Sequence, residues 1–202
     1  MSQSAAIALR LTGPKGTGIG ALICAFFGGP WMFWAVAWSG NRSRTWFYAL
    51  DIVYLAMIGL AILGIKVARR IASGTSKEMQ SWRPPRVLCW IVTGTEWVLV
   101  VGAAIWLSLV GRSDLIPQVC GVIVGLHFLP LARIFRAPIY HATGAAMVLG
   151  ELASLMLSRG YGRNIIGCGV PGLILWTTAL VLLARIFSAK PPEGIRVGSA
   201  VS

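Results

Sequence analysis

Charged side chains are scarce in this chain, and their scarcity excludes an ordinary soluble domain. Only 12% of the 202 residues are charged, only 6 residues are acidic, and the mean hydropathy is +0.75. Soluble domains carry about 25% charged residues. The longest connection between apolar stretches, residues 66 to 86, is too short to hold a core of its own. The composition therefore predicts one membrane domain.

Recognisable catalytic and cofactor motifs are lacking as well. The sequence contains no H-E-x-x-H, no G-x-S-x-G and no paired-acid metal motif such as D-x-x-x-D. We therefore expect no enzymatic activity, no cofactor and no metal. The net charge of +12 is confined to the flanks of apolar stretches rather than to one soluble face, so we expect no nucleic-acid partner.

Cysteine pairs with metal-binding spacing are also missing. Cys24, Cys89, Cys120 and Cys168 stand singly in four different apolar stretches, which excludes a C-x-x-C zinc site. Their isolation predicts plain packing roles. A disulfide between Cys120 and Cys168 remains geometrically conceivable, because both lie near the same end of their predicted helices.

The chain contains six long apolar stretches. Runs of this length match the roughly 30 Å hydrocarbon core of a bilayer, where a helix satisfies its own backbone polar groups. The fold class predicted is all-α, a six-transmembrane-helix bundle over residues 1–186, with a disordered cytoplasmic tail over 187–202. The predicted helices span 17–39, 46–65, 87–110, 115–132, 138–157 and 164–184. A cleavable signal peptide in place of the first helix is the alternative, and we expect the helix to be retained.

The positive residues predict the orientation of this bundle. Thirteen of the 18 Lys and Arg residues fall at the N-terminus, in links 2-3 and 4-5 and in the tail. The positive-inside rule then places both termini in the cytoplasm. The Gly- and Ala-rich composition and the lack of a eukaryotic sorting signal indicate a bacterial inner membrane. Five basic residues of link 2-3 are predicted to bind anionic lipid headgroups: Lys66, Arg69, Arg70, Arg83 and Arg86.

Acidic residues inside the apolar stretches are the best functional candidates. Asp51, Glu96 and Glu151 lie in predicted helices 2, 3 and 5, and His127 lies in helix 4. Charges at such depth are costly and usually face the bundle interior. Their estimated depths allow the three acids to line one outward-opening cavity, with His127 on the cytoplasmic route.

Structural explanations for the same residues stay open. Asp51 is close enough to the outer border to pair with Arg42 or Arg44. Glu96 and Glu151 fit equally well as hydrogen-bonding contacts between helices. His127 fits a structural contact beside Pro130, and His141 fits the headgroup interface.

Glycine pairs spaced four residues apart predict close helix contacts. Gly16 and Gly20 form one such pair, and Gly121 and Gly125 form another. Small residues at this spacing allow the backbones of two membrane helices to approach each other.

The stretch from Gly125 to Tyr140 contains His127-Phe128-Leu129-Pro130 followed by Pro138-Ile139-Tyr140. In this respect the chain resembles an uncharacterised family of small multi-pass bacterial membrane proteins, in which a His-Phe-Leu-Pro motif ends one helix and Pro-x-Tyr opens the next. The resemblance covers about a fifth of the chain and implies no activity. It implies that His127 and Pro130 act as a unit.

Two functions from different classes follow from these patterns. The first is passage of a small solute or ion through an acid-lined cavity. The second is a non-transporting membrane scaffold, or a protein that senses lipid through its basic cytoplasmic loop. A shared, water-reachable cavity around the acids distinguishes the first from the second.

Overall fold

The computed structural model describes residues 14–40, 43–73, 86–157 and 160–189, and these residues form six α-helices and no strand. The helices are α1 (Pro14–Trp38), α2 (Arg44–Ser73), α3 (Arg86–Leu109), α4 (Ile116–Ile134), α5 (Ile139–Leu155) and α6 (Tyr161–Phe187), and a 3-10 turn, Ser113–Leu115, precedes α4. Five of the helices are long and apolar enough to cross a membrane, and α5 has 17 residues. The protein is an all-helical, multi-pass membrane bundle.

The second helix is longer than the sequence predicts. It continues to Ser73, whereas the hydrophobic run ends at residue 65. Lys and Arg are good helix formers, and Ala68, which is fully buried, keeps this part of α2 against the bundle. The prediction of a loop starting at Lys66 was therefore wrong for residues 66–73. Residues 190–202, which were predicted to form most of a disordered tail, lie outside the described part of the chain.

Neighbouring helices run antiparallel, as a few contacts demonstrate. Along α1 and α2, a Cβ added at Gly18 would meet Ile65, and one added at Gly29 would meet Tyr54. The same descending order relates α5 to α6, where Thr143 Oγ1 lies 2.8 Å from Thr178 Oγ1 and a Cβ added at Gly150 would meet Val170.

The first and last described helices are antiparallel to each other as well. A Cβ added at Gly20 would lie 3.6 Å from Leu182, and one added at Gly28 would lie 3.2 Å from the Gly172 carbonyl. Residue numbers therefore increase along α1 in the direction in which they decrease along α6. The start of α1 and the end of α6 therefore lie at the same end of the bundle. We call the opposite end, where α4 and α6 begin, the Asp114 end.

Helix α6 forms the centre of the bundle. It packs against α1, α2, α4 and α5, and its residues Cys168, Leu175 and Leu183 are almost completely buried. The Trp176 indole N–H donates to the Ala25 carbonyl on α1 at 3.1 Å. In contrast, α3 lies at the edge, packs on α4 and exposes large apolar side chains, which lipid tails accommodate at no cost.

Glycines let the backbones of the packed helices approach closely. A Cβ at Gly144 on α5 would clash with the Gly125 carbonyl of α4, and a Cβ at Gly172 on α6 would lie 3.1 Å from the Gly28 carbonyl of α1. Gly121 and Gly125 both face α5, as their spacing predicts. In the other predicted pair, Gly20 faces Tyr140, but nothing lies within 4 Å of a Cβ at Gly16.

Candidate functional site

Buried polar side chains gather at the Asp114 end, where α4, α5 and α6 meet. The start of α4 contributes Gln118, the last turns of α5 contribute Glu151 and Ser154, and the first turn of α6 contributes Arg163 and Asn164. All five are buried, with 5% exposure or less. The antiparallel packing of α5 against its two neighbours brings the end of α5 beside the starts of α4 and α6.

Glu151 is at the centre of this polar cluster and is fully buried. Its carboxyl group lies over Gly121, where an added Cβ would be 2.5 Å from Oε1. Ser154 Oγ lies 3.3 Å from Oε2 and also donates to the Glu151 carbonyl at 2.8 Å. The Oε1 atom has no hydrogen-bond partner among the described residues. A buried carboxyl oxygen without a partner is costly, and a proton, a water molecule or a bound ligand would each remove that cost.

Gln118 joins α4 to the start of α6. Its side-chain Nε2 donates to the Arg163 carbonyl at 3.3 Å and to Asn164 Oδ1 at 3.4 Å. The Oε1 atom of Gln118 is buried and has no partner among the described residues. The donor group of this amide is therefore engaged, while its acceptor is not.

A network of ionic contacts lies at the Asp114 end. The Arg163 guanidinium donates to the Asp114 carboxylate and, at 3.4 Å, to the Asp114 carbonyl. Arg112 lies 3.5 Å from the same carboxylate. Asp114 thus pairs with both neighbouring arginines, and no ion pair between described residues includes Glu151.

Glu96 and His127 form a separate pair between α3 and α4. His127 Nε2 lies 3.3 Å from Glu96 Oε2, with side-chain exposures of 10% and 17%. His127 also packs edge-on against Phe128, whose ring contacts Tyr140 on α5. The pair therefore attaches the peripheral helix α3 to the bundle near the middle of the apolar stretch.

The structure does not bring the four predicted site residues into one cluster. Gln118 and His127 are nine positions apart, which is about two and a half helical turns and places them on opposite faces of α4. Glu151 packs on the face that carries Gly121, and Glu96 packs on the face that carries His127. Helix α4 therefore separates the two acids.

Asp51 lies apart from both groups. Its side chain is exposed on α2, and it takes part in none of the ion pairs formed by the described residues. His141 is exposed near the start of α5. Of the basic residues predicted to bind headgroups, Lys66, Arg69 and Arg70 are exposed near the end of α2, Arg83 lies outside the described residues, and Arg86 begins α3.

The cysteines offer neither a disulfide nor a metal site in the described part of the chain. All four are free thiols, including Cys120 and Cys168. No group of three or more His, Cys, Asp or Glu side chains among the described residues is placed to hold a metal ion.

Sequence reasoning missed Gln118, Asn164 and the Asp114–Arg163 pair. Gln118 and Asn164 are uncharged, so a search for charges in apolar stretches passes over them. Asp114 and Arg163 flank their helices and look like ordinary link residues. The available signal was positional, because all four lie in or just before the first turns of α4 and α6, which must share one end of an alternating bundle.

Comparison with known proteins gives no family for this chain: no protein-family model, no curated protein and no solved structure matches it. The resemblance carried by the His-Phe-Leu-Pro stretch stays a prediction. What the observations establish is an all-helical, multi-pass membrane bundle with a buried carboxyl group where α4, α5 and α6 meet.

Proposed function

We propose that this protein passes a small ion or solute across the membrane and that Glu151 is the interior group that binds it. The observation that carries the proposal is the environment of the Glu151 side chain. It is fully buried between three helices, and one of its carboxyl oxygens has no partner. Acidic side chains inside membrane helices are costly, and they commonly mark ion pathways and proton relays.

The proposed route runs on the α5 and α6 side of α4. The proposed route includes Glu151 but not the other two acids. Glu96 pairs with His127 on the other face of α4, and Asp51 is exposed on α2. Glu96 and His127 then hold α3 to the bundle. The ionic network of Asp114, Arg112 and Arg163 covers the Glu151 site at one end.

Water must reach Glu151 if this proposal is right. The test is Glu151→Cys in a chain whose four native cysteines are replaced by Ala, probed with a membrane-impermeant thiol reagent from each side in turn. We expect labelling from at least one side. The matched control is Leu175→Cys on α6, which is equally buried but has an apolar environment, and we expect it to stay unlabelled. If neither position is labelled in the folded protein, water does not reach Glu151 and the proposal is wrong.

We further propose that all six helices cross a bacterial inner membrane, with both termini in the cytoplasm. The antiparallel packing of α1 and α6 supports a common side for the two ends, and the excess of Lys and Arg at that end favours the cytoplasm. Reporters fused after residue 202 or inserted within residues 74–85 should report cytoplasm. Reporters near residues 42 and 159 should report the outside. Opposite locations for the tail and for residues 74–85 would exclude this topology.

A second candidate function, binding of anionic lipid headgroups, is favoured by the length of α2. Its 30 residues span about 45 Å, which exceeds the roughly 30 Å hydrocarbon core. The end of α2, with exposed Lys66 and Arg69, therefore projects to the headgroup level, where each basic residue contributes about 1 kcal/mol. This binding suits a membrane scaffold without transport, and it is also compatible with passage.

A further inference from the structure

Two buried oxygen atoms in the cluster lack a hydrogen-bond donor. They are the Oε1 atoms of Gln118 and Glu151, and both side chains are fully buried. The amide of Gln118 has already used its donor group on the Arg163 carbonyl and on Asn164. Among the described residues, the hydroxyl that contacts the Glu151 carboxyl belongs to Ser154, and it lies on the Oε2 side. The cluster also contains one buried donor without a partner, Arg163 Nε. No donor of the described residues is within hydrogen-bond distance of either Oε1 atom.

Both side chains reach the same point above Gly167 on α6. A Cβ at Gly167 would lie 2.5 Å from Gln118 Nε2 and 3.3 Å from Glu151 Oε2. Gly121 provides the opposite wall, since a Cβ there would lie 2.5 Å from Glu151 Oε1. The two glycines thus enclose the Glu151 carboxyl and the Gln118 amide in one narrow space.

No cation among the described residues lies within ion-pair distance of the Glu151 carboxyl group. Arg163 and Arg112, the positive groups at this end, both pair with Asp114. The other titratable groups that interact electrostatically with Glu151 are the thiols of Cys120 on α4 and Cys168 on α6. A carboxylate in this position would be a buried charge with no counterion, whereas a carboxylic acid would be neutral.

A proton on Glu151 supplies the missing donor. The ionised carboxylate is an acceptor only, while the protonated form carries one O–H that donates. Binding of one proton by the carboxylate thus gives a neutral acid, which removes the uncompensated charge and turns one carboxyl oxygen into a donor. Protonation needs no other reactant. A hard cation such as Ca²⁺ fits this place less well than a proton, because it takes six or more oxygen ligands and only three oxygen-bearing side chains of the described residues are present here.

We propose that the ligand of the Glu151 site is a proton, which Glu151 holds as a neutral carboxylic acid beside Gln118, and that the Asp114–Arg163 ion pair closes this site at one end. The inference rests on the proposed passage function and names the ion that it carries. Gln118 acts as a positioning residue, because it connects the Glu151 site to the backbone of Arg163.

Infrared spectroscopy of the purified full-length protein in lipid tests the protonation directly. The spectrum of the native protein minus that of Glu151→Gln should contain the carbonyl stretch of a protonated carboxylic acid at neutral pH, and this band should shift in deuterium oxide. Glu96→Gln should leave the band in place. If the difference contains the bands of an ionised carboxylate instead, the proposal is wrong.

A second variant keeps the test valid if Glu151→Gln fails to fold. Gln118→Leu retains the Glu151 carboxyl and removes the amide beside it, so it should move the same carbonyl band. Thr95→Ala, on the exposed face of α3, should not. If Gln118→Leu leaves the band unchanged, Gln118 does not act on the Glu151 carboxyl and is not part of the site.

The thiol-labelling experiment separates this proposal from the proposed passage. A protonated Glu151 band together with no labelling at position 151 would mean a neutral acid sealed in the bundle, and passage would be wrong. Labelling at position 151 together with an ionised Glu151 would leave passage standing and would exclude the proton as the bound species.

Discussion

Replacing Gly144 with Leu is expected to destabilise the bundle more than any other single substitution proposed for it. The contact between α4 and α5 depends on Gly144, where even a Cβ would clash with the Gly125 carbonyl. A backbone atom cannot move aside as a flexible side chain can. Overpacking in a close-packed interior costs about 1–3 kcal/mol and occasionally more, and we expect a value near or above 3 kcal/mol here.

The matched control for this substitution is Gly102→Leu on α3. Gly102 is exposed, and nothing lies within 4 Å of a Cβ added there. Its replacement should change the unfolding free energy by no more than about 0.5 kcal/mol. The measurement is the unfolding free energy in a titration with denaturing detergent, and Gly144→Ala should fall between the two. Equal stability of both Leu variants would show that α4 and α5 do not meet at this contact.

The second large effect is a coupling between Gly121 and Glu151. Gly121→Ala places a methyl group 2.5 Å from Glu151 Oε1 and 2.7 Å from both Cδ and Cγ, so the whole carboxyl end of the side chain must move. We expect a destabilisation of about 2 kcal/mol. In a chain that already carries Glu151→Ala, the clashing atoms are gone and Gly121→Ala should cost much less.

A double-mutant cycle measures this coupling. Residues in contact show interaction energies of about 0.5–3 kcal/mol, and we expect a value in the upper half of that range. Gly162→Ala, at a position with open space around it on α6, serves as the control and should be additive with Glu151→Ala. Additive effects for Gly121 and Glu151 would mean that the carboxyl group does not lie over Gly121.

Much of the fold could be predicted from the sequence because the bilayer imposes a simple length rule. Apolar runs flanked by Arg and Lys predict the helices, and the observed bounds differ by a few residues at most ends. The end of α2 is the exception: Lys66 ends the hydrophobic run, but the helix continues to Ser73 because nothing in the residues 66–73 breaks it. Hydropathy indicates which residues can cross the membrane, but it does not indicate where the helix ends.

The arrangement of the helices was harder to predict. Gly28 and Gly172 form a close contact of α1 with α6, but they are distant in the sequence, and neither belongs to a glycine pair spaced four residues apart. Depth alone suggested that Glu96 and Glu151 share a cavity. Depth does not give the direction in which a side chain points, and α4 lies between them. Gln118 was missed because it carries no charge.

Ion flux into liposomes that contain the purified full-length protein tests the central claim most directly. Native protein should raise the flux of at least one of protons, sodium or potassium above that of protein-free liposomes. The folded Glu151→Gln variant should return the flux to the protein-free level, because it removes the carboxyl group that binds the ion. The Asp51→Asn variant, which alters the exposed acid on α2, should retain the native flux. Equal flux through native and Glu151→Gln protein would contradict the role assigned to Glu151.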